Sequence, residues 1–170
     1  MVMGAHYVLT ASIHENVVSN WNWIEALIAS VPIAILVMLI VWINQFQDAP
    51  SDAAVGKNTW VVRTAEKGEW MKLEKPLRLY KQFMIEAFVA VALVGALSFF
   101  TDFGTVYAFM ALIPIALVWK AFKMADEWMI KWNNPNADRQ KVPYELLLVN
   151  VSTIGIHFLT GILLAVAYIL

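Results

Sequence analysis

Four long apolar stretches, separated by polar segments, dominate the pattern of the chain. Each is long enough to cross a bilayer as a helix, which takes about 20 residues. None alternates between apolar and polar side chains as a barrel strand would. The sequence therefore predicts an all-α integral membrane bundle with four spans, over about residues 23–43, 83–100, 106–122 and 146–170.

The start of the chain does not provide a fifth span. Residues 1–12 are apolar but too short to cross a bilayer, and they lack the basic beginning of a signal peptide. We expect them to be the outer end of a partial helix, followed by a polar external loop over residues 14–22. The expected unit is thus one membrane domain over residues 1–170.

Composition excludes several classes of protein. The 170 residues are 61% hydrophobic and only 15% charged, whereas soluble domains carry about 25% charged residues. The formal net charge of -1 gives no basis for binding nucleic acid. The chain has no cysteine, so disulfides and thiolate metal sites are excluded.

The basic residues predict how the chain crosses the membrane. All twelve Lys and Arg lie within residues 57–81 or 120–141. Because basic loops stay on the cytoplasmic side, we expect the 44–82 and 123–145 loops to be cytoplasmic and the N-terminus to be outside. Four tryptophans are expected to anchor the inner membrane interface: Trp42, Trp119, Trp128 and Trp132.

The segment that follows the first span carries the candidate chemistry. Asn44, Asp48 and Asp52 recur every four residues, so a helix would place them on one side. Two carboxylates so close together repel each other unless a cation lies between them, and their oxygens suit Mg²⁺. Lys57 and Arg63 follow within reach of an anion bound at the same place.

Two features leave this interpretation open on spacing alone. Pro50 lies between the two aspartates and is expected to kink or restart the helix. Asp, Pro, Ser and Gly after a membrane helix are also typical of an ordinary solvated loop.

The surrounding residues add a resemblance. The run N-x-x-x-D-x-x-x-D-x-x-x-G-K-x-T-x-x-V-R, directly after a membrane helix, resembles the second aspartate-rich segment of the UbiA-type membrane prenyltransferases. The matching positions are Asn44, Asp48, Asp52, Gly56, Lys57, Thr59, Val62 and Arg63. Residues 4–10 resemble the end of the family's fifth helix, and the four spans correspond to helices six to nine. The closest subgroup is the 1,4-dihydroxy-2-naphthoate polyprenyltransferases.

The chain departs from the family in three ways. Thr64 and Ala65 follow Val62 and Arg63, where the family commonly has Leu-Gly. Ala49, Pro50 and Ser51 stand where the family usually has an aromatic and an acidic residue, although the spacing is kept. The family's first aspartate-rich segment, N-D-x-x-D-x-x-x-D, does not occur in the sequence. The resemblance therefore covers nearly the whole chain but only the C-terminal half of a nine-helix family member.

The resemblance implies an activity and roles for five residues. The implied activity is Mg²⁺-dependent transfer of a prenyl chain from a polyprenyl diphosphate to an aromatic acceptor, as in menaquinone biosynthesis, in a bacterial or archaeal plasma membrane. Asp48 and Asp52 would be the catalytic metal ligands, while Asn44, Lys57 and Arg63 would bind the diphosphate. The activity is expected to be incomplete without a separate N-terminal half that carries the first aspartate-rich segment.

Two other functions stay open. One is a non-catalytic membrane subunit or decayed fragment, and the other is a cation transport module that uses Asp48, Asp52 and Glu86. Glu86 is expected to form an interfacial ion pair near Lys81. Asn150 and His157 in the last span are expected to be hydrogen-bond partners between helices.

Overall fold

Helices account for the regular structure because lipid offers the backbone no hydrogen-bond partner, so each apolar stretch must satisfy its own amides and carbonyls. The structure is a computed structural model that describes residues 23–65, 72–138 and 141–170. These segments contain no strand. Their α-helices are α1 (Trp23–Ala54), α2 (Trp60–Thr64), α3 (Glu74–Leu97), α4 (Ile115–Trp132) and α5 (Leu147–Ala167). Two 3-10 helices, Val106–Leu112 and Val142–Leu146, precede α4 and α5.

The predicted all-α architecture with four candidate spans is confirmed. Four helical segments are long and apolar enough to cross a membrane: Ile24–Ala54, Glu74–Leu97, Val106–Trp132 and Val142–Ala167. The partial helix and external loop predicted before residue 23 lie outside the described residues.

The helices extend further into the polar segments than the sequence predicts. The first ends at Ala54 rather than near residue 43, and α3 begins at Glu74 rather than near residue 83. Both ends of the predicted 44–82 loop are therefore helical, as is the beginning of the 123–145 loop. A hydropathy pattern locates only the part of a helix that must be apolar, and a helix can continue into water with charged side chains.

Pro50 does not divide α1, whereas Pro114 marks the start of α4. Pro50 lies inside α1, so the helix does not restart there. Proline removes only the one backbone donor that would reach the Phe46 carbonyl, four residues earlier, and the helix continues on both sides of it. Pro114 occupies the N-terminal cap of α4, where its fixed φ suits the start of a helix.

An aromatic cluster joins the helices at the end of α1 that is predicted to be cytoplasmic. The rings of Trp128 and Trp132 stack with centroids 5.4 Å apart, and Phe46 meets Trp128 edge-on. The indole N–H of Trp42 donates to the Pro76 carbonyl (3.2 Å) across to α3. These partners allow the indoles to be buried without loss of a hydrogen bond.

The cluster corrects the prediction that four tryptophans anchor the lipid interface. Trp42, Trp128 and Trp132 are buried in the protein core, and the indole N–H of Trp128 donates to the Val142 carbonyl (2.8 Å). Only Trp119 of the four is exposed, at 77%.

A buried pair of hydroxyls fixes α5 against α3. The Thr153 hydroxyl donates to the Val149 carbonyl (2.8 Å), one turn earlier in α5. Its oxygen therefore accepts the hydrogen bond from the Tyr80 hydroxyl, with the two oxygens 2.7 Å apart. Both side chains are fully buried. The bond holds α5 in the position that places Asn150, one turn away, beside α1.

Replacing Thr153 should test this contact. Thr153→Val leaves the buried Tyr80 hydroxyl without an acceptor, so the free energy of unfolding should fall by about 1–3 kcal/mol. Thr153→Ser keeps the hydroxyl and removes one methyl group, which should cost about 1 kcal/mol or less. Unfolding in mixed micelles with increasing denaturing detergent measures both. Equal losses for the two variants would contradict the hydrogen bond.

Candidate functional site

Successive turns of α1 carry three of the predicted site residues. Each four-residue step adds about 40° beyond a full helical turn, so the direction of the side chains drifts by about 80° from Asn44 to Asp52. The structure shows the consequence. Asn44 and Asp48 lie on the exposed face of α1, whereas Asp52 is buried. The three residues share one side of the helix but not one environment.

Asp52 is the most unusual polar residue of this group. Its side chain is 9% exposed, and its Oδ1 lies 3.0 Å from the Lys57 ammonium, which is itself 63% exposed. Its Oδ2 is buried and has no hydrogen-bond partner among the described residues. An unpaired buried carboxylate oxygen is costly, so a cation or a hydrogen-bond donor placed there would be strongly stabilised.

The turn after α1 explains why Lys57 lies against Asp52. Gly56 has φ +71°, a left-handed conformation that glycine adopts without strain and that commonly ends helices. The Lys57 amide then donates to the Asp52 carbonyl (2.8 Å). This reversal returns the lysine to the last turn of the helix, where its ammonium meets the carboxylate.

The short helix α2 continues this return and packs beside α1. The Val61 amide donates to the side-chain carbonyl of Gln45 (3.2 Å), and the Trp60 ring meets Trp42 edge-on. Arg63 lies at the end of α2 and is exposed. Within the described segments Arg63 forms no ion pair with Asp48 or Asp52, so the structure does not join it to the aspartates.

Asn44 is already engaged by another helix. The side-chain amide of Asn150 in α5 donates to Asn44 Oδ1 (2.7 Å). This confirms that Asn150 is a hydrogen-bond partner between helices, and it adds that the partner is a predicted diphosphate-binding residue. In contrast, the described residues offer no hydrogen-bond partner to the His157 side chain, which was expected to play the same role.

The prediction that Glu86 forms an ion pair near Lys81 is wrong. The Gln82 amide donates to Glu86 Oε1 (2.8 Å), one turn along α3. Lys81 instead forms its salt bridge with Asp126 of α4 and lies over the Phe122 ring. Lys81 therefore links two helices rather than neutralising Glu86.

A cavity between α3 and α4 lies away from the predicted site residues. It has a volume of about 220 Å³ and is lined by Glu74, Leu77, Arg78, Lys81, Asp126 and Met129. In the three described segments no group of three or more His, Cys, Asp or Glu side chains is placed to hold a metal ion. The described chain brings two carboxylates and one amide to the end of α1, where Asp52 is buried and Asn44 and Asp48 are exposed.

No protein-family model matches the chain, and neither a curated protein nor a solved structure matches it. Membership of the prenyltransferase family therefore stays a prediction from the sequence motif around Asp48 and Asp52.

A double-mutant cycle should measure the link between Asn44 and Asn150. We expect a coupling free energy of about 0.6 kcal/mol, and no more than about 1.7 kcal/mol, which is the range of hydrogen bonds between membrane helices. The measurement compares the unfolding of Asn44→Ala, Asn150→Ala and the double variant in mixed micelles.

The matched control pairs Asn44→Ala with Thr160→Ala. Thr160 is buried in the same helix as Asn150 but about 15 Å further along it. Its coupling to Asn44 should be near zero. If both pairs couple equally, the hydrogen bond does not link the helices specifically.

Proposed function

We propose that this chain is one half of a Mg²⁺-dependent membrane prenyltransferase. It would transfer a prenyl chain from a polyprenyl diphosphate to an aromatic acceptor of the quinone-precursor type, as in menaquinone biosynthesis. One observation carries the proposal: the unbroken helix α1 places Asn44, Asp48 and Asp52 on consecutive turns where an apolar span ends.

The donor atoms at this end of α1 suit a divalent cation. Asp52 already attracts the cationic Lys57 through one oxygen, and its second oxygen is buried without a partner among the described residues. Carboxylate oxygens are the ligands that Mg²⁺ prefers. Asp48 and Asp52 would hold the ion, which would neutralise charge on the departing diphosphate.

The remaining residues would orient the substrate. Lys57 and Arg63 would bind diphosphate oxygens through charge-assisted hydrogen bonds, and the Asn44 amide would offer a further contact. Val37 and Val41 are exposed on the same face of α1 as Asn44 and Asp48. A prenyl chain could follow this apolar strip into the bilayer while its diphosphate stays at the membrane surface.

The proposal assigns only half of the catalytic machinery to this chain. Two carboxylates and one amide leave most of the coordination of Mg²⁺ and of the diphosphate to other donors. Asn44 and Asp48 lie on an exposed face of α1, which leaves room for donors from another chain. A separate N-terminal half with the first aspartate-rich segment would supply the missing carboxylates.

A non-catalytic membrane subunit is the second candidate function. It is favoured by one observation: the cavity between α3 and α4 is lined by other residues, and none of Asn44, Asp48 or Asp52 contributes to it. Such a subunit would need Asn44 and Asn150 for packing but would place no demand on the aspartates for any reaction.

Substitution of the aspartates separates these two functions. Asp48→Asn and Asp52→Asn should each lower Mg²⁺-dependent prenyl transfer by about 100-fold or more, since each removes a charge that stabilises the reaction. The assay uses membranes of cells whose only copy of the gene carries the variant, with a labelled polyprenyl diphosphate and 1,4-dihydroxy-2-naphthoate.

Asp102→Asn is the matched control, because this exposed aspartate lies in the turn after α3, far from Asp48 along the bundle. It should leave the rate unchanged. Unchanged rates for both Asp48 and Asp52 variants would exclude catalysis through these residues and favour the subunit. Full activity of the isolated chain in liposomes would contradict the assignment as one half of an enzyme.

A further inference from the structure

The position of Lys57 conflicts with a simple role in holding diphosphate. Its ammonium lies 3.0 Å from Asp52 Oδ1, so it is already engaged by the carboxylate that the proposed function gives to Mg²⁺. This contact uses one of the three ammonium donors and pairs the lysine's charge with Asp52, which weakens its attraction for an anion. The same contact also places one positive charge beside the carboxylate to which a metal ion would need to bind.

We infer that Lys57 is a built-in competitor of the divalent cation at Asp52, which is released to bind diphosphate when the cation takes its place. The inference rests on the proposed function and adds an order to it: the cation binds first, and its binding prepares the anion site.

Burial of Asp52 makes the two positive charges compete. The side chain is 9% exposed, and its Oδ2 is buried without a partner in the described chain. A cation that approaches this carboxylate from solvent meets the Lys57 ammonium. Like charges close together in a partly desolvated site repel strongly, so a divalent cation would displace the ammonium rather than bind beside it.

Release of Lys57 requires little rearrangement. Its side chain is 63% exposed, and its ion pair with Asp52 is the only contact found for its ammonium in the described chain. Its backbone is held separately, by the hydrogen bond from its amide to the Asp52 carbonyl (2.8 Å). The side chain can therefore rotate into solvent while the backbone keeps the freed ammonium beside the site.

This exchange couples the two ligands. In the absence of diphosphate, a cation must break the ion pair between Lys57 and Asp52 in order to bind. Its affinity is therefore lower than it would be for an Asp52 carboxylate without the lysine. Diphosphate binding gives the released ammonium a new partner. By linkage, each ligand then strengthens the binding of the other.

The test measures the affinity of the purified full-length chain, in nanodiscs, for each ligand separately. Mn²⁺ replaces Mg²⁺, because free and bound Mn²⁺ are distinguished by electron paramagnetic resonance. Labelled inorganic pyrophosphate, bound at saturating Mn²⁺, measures the anion site. Lys57→Gln should tighten Mn²⁺ binding by about tenfold and weaken pyrophosphate binding by about tenfold, within the range of coupled sites.

Three further variants serve as controls. Lys123→Gln removes an exposed charge on α4 and should change neither affinity. Lys57→Arg keeps the charge and should not tighten Mn²⁺ binding. In the double variant Asp52→Asn, Lys57→Gln, the gain in Mn²⁺ affinity should disappear, because the competition takes place at Asp52.

The outcomes distinguish this inference from the proposed function. If Mn²⁺ binding depends on Asp52 but is equal in wild type and Lys57→Gln, the competition is wrong and the metal site stands. If both affinities fall together, Lys57 only supports the fold of the turn, and the inference is overturned. If no variant binds Mn²⁺, both the metal site and the inference fail.

Discussion

The candidate site depends on the continuation of α1 as a single helix beyond its most apolar part. The helix runs from Trp23 to Ala54 and includes Pro50, so the polar residues at its end keep helical spacing. Had the helix ended with its apolar residues, Asn44, Asp48 and Asp52 would lie on a loop with no fixed relation to one another. The same helical geometry also makes their environments differ, because each four-residue step turns the side chain further towards the protein interior.

Packing at this end of the bundle keeps α1 in place. The aromatic cluster around Phe46 and Trp128 fills the space between α1 and α4, and the bond between Tyr80 and Thr153 joins α3 to α5. Because the hydroxyls and indole N–H groups in these contacts have partners, they give the end of α1 a rigid support. The exposed face of α1, which carries Asn44 and Asp48, stays accessible to a partner.

The sequence was informative about composition and periodicity and less so about contacts. Hydropathy identified four spans, and four-residue spacing placed Asn44, Asp48 and Asp52 on one side of a helix. It could not show where α1 ends, because a solvated helix needs no apolar residues. It also could not distinguish a buried tryptophan from an interfacial one, because the same amphipathic ring suits both places.

The ion pair between Lys57 and Asp52 could not be predicted from the spacing of the two residues. A lysine five residues after an aspartate meets it only if the chain reverses between them, which depends on the left-handed conformation of Gly56. A glycine that follows a helix is a signal for such a reversal. The glycine in the motif thus indicated a reversal of the chain after α1. The spacing of the acidic residues alone did not indicate it.

Paramagnetic relaxation by Mn²⁺ tests most directly whether the end of α1 is a cation site. The chain has no cysteine, so single cysteines replacing Val55 or Phe100 can carry spin labels without background. Both positions are exposed. Val55 follows the last turn of α1, whereas Phe100 lies beyond the far end of α3, a helix of 24 residues that is about 36 Å long. Bound Mn²⁺ should broaden the signal of the label at residue 55 and leave the label at residue 100 unchanged. No broadening at residue 55, or equal broadening at both positions, would contradict a cation site at Asp48 and Asp52.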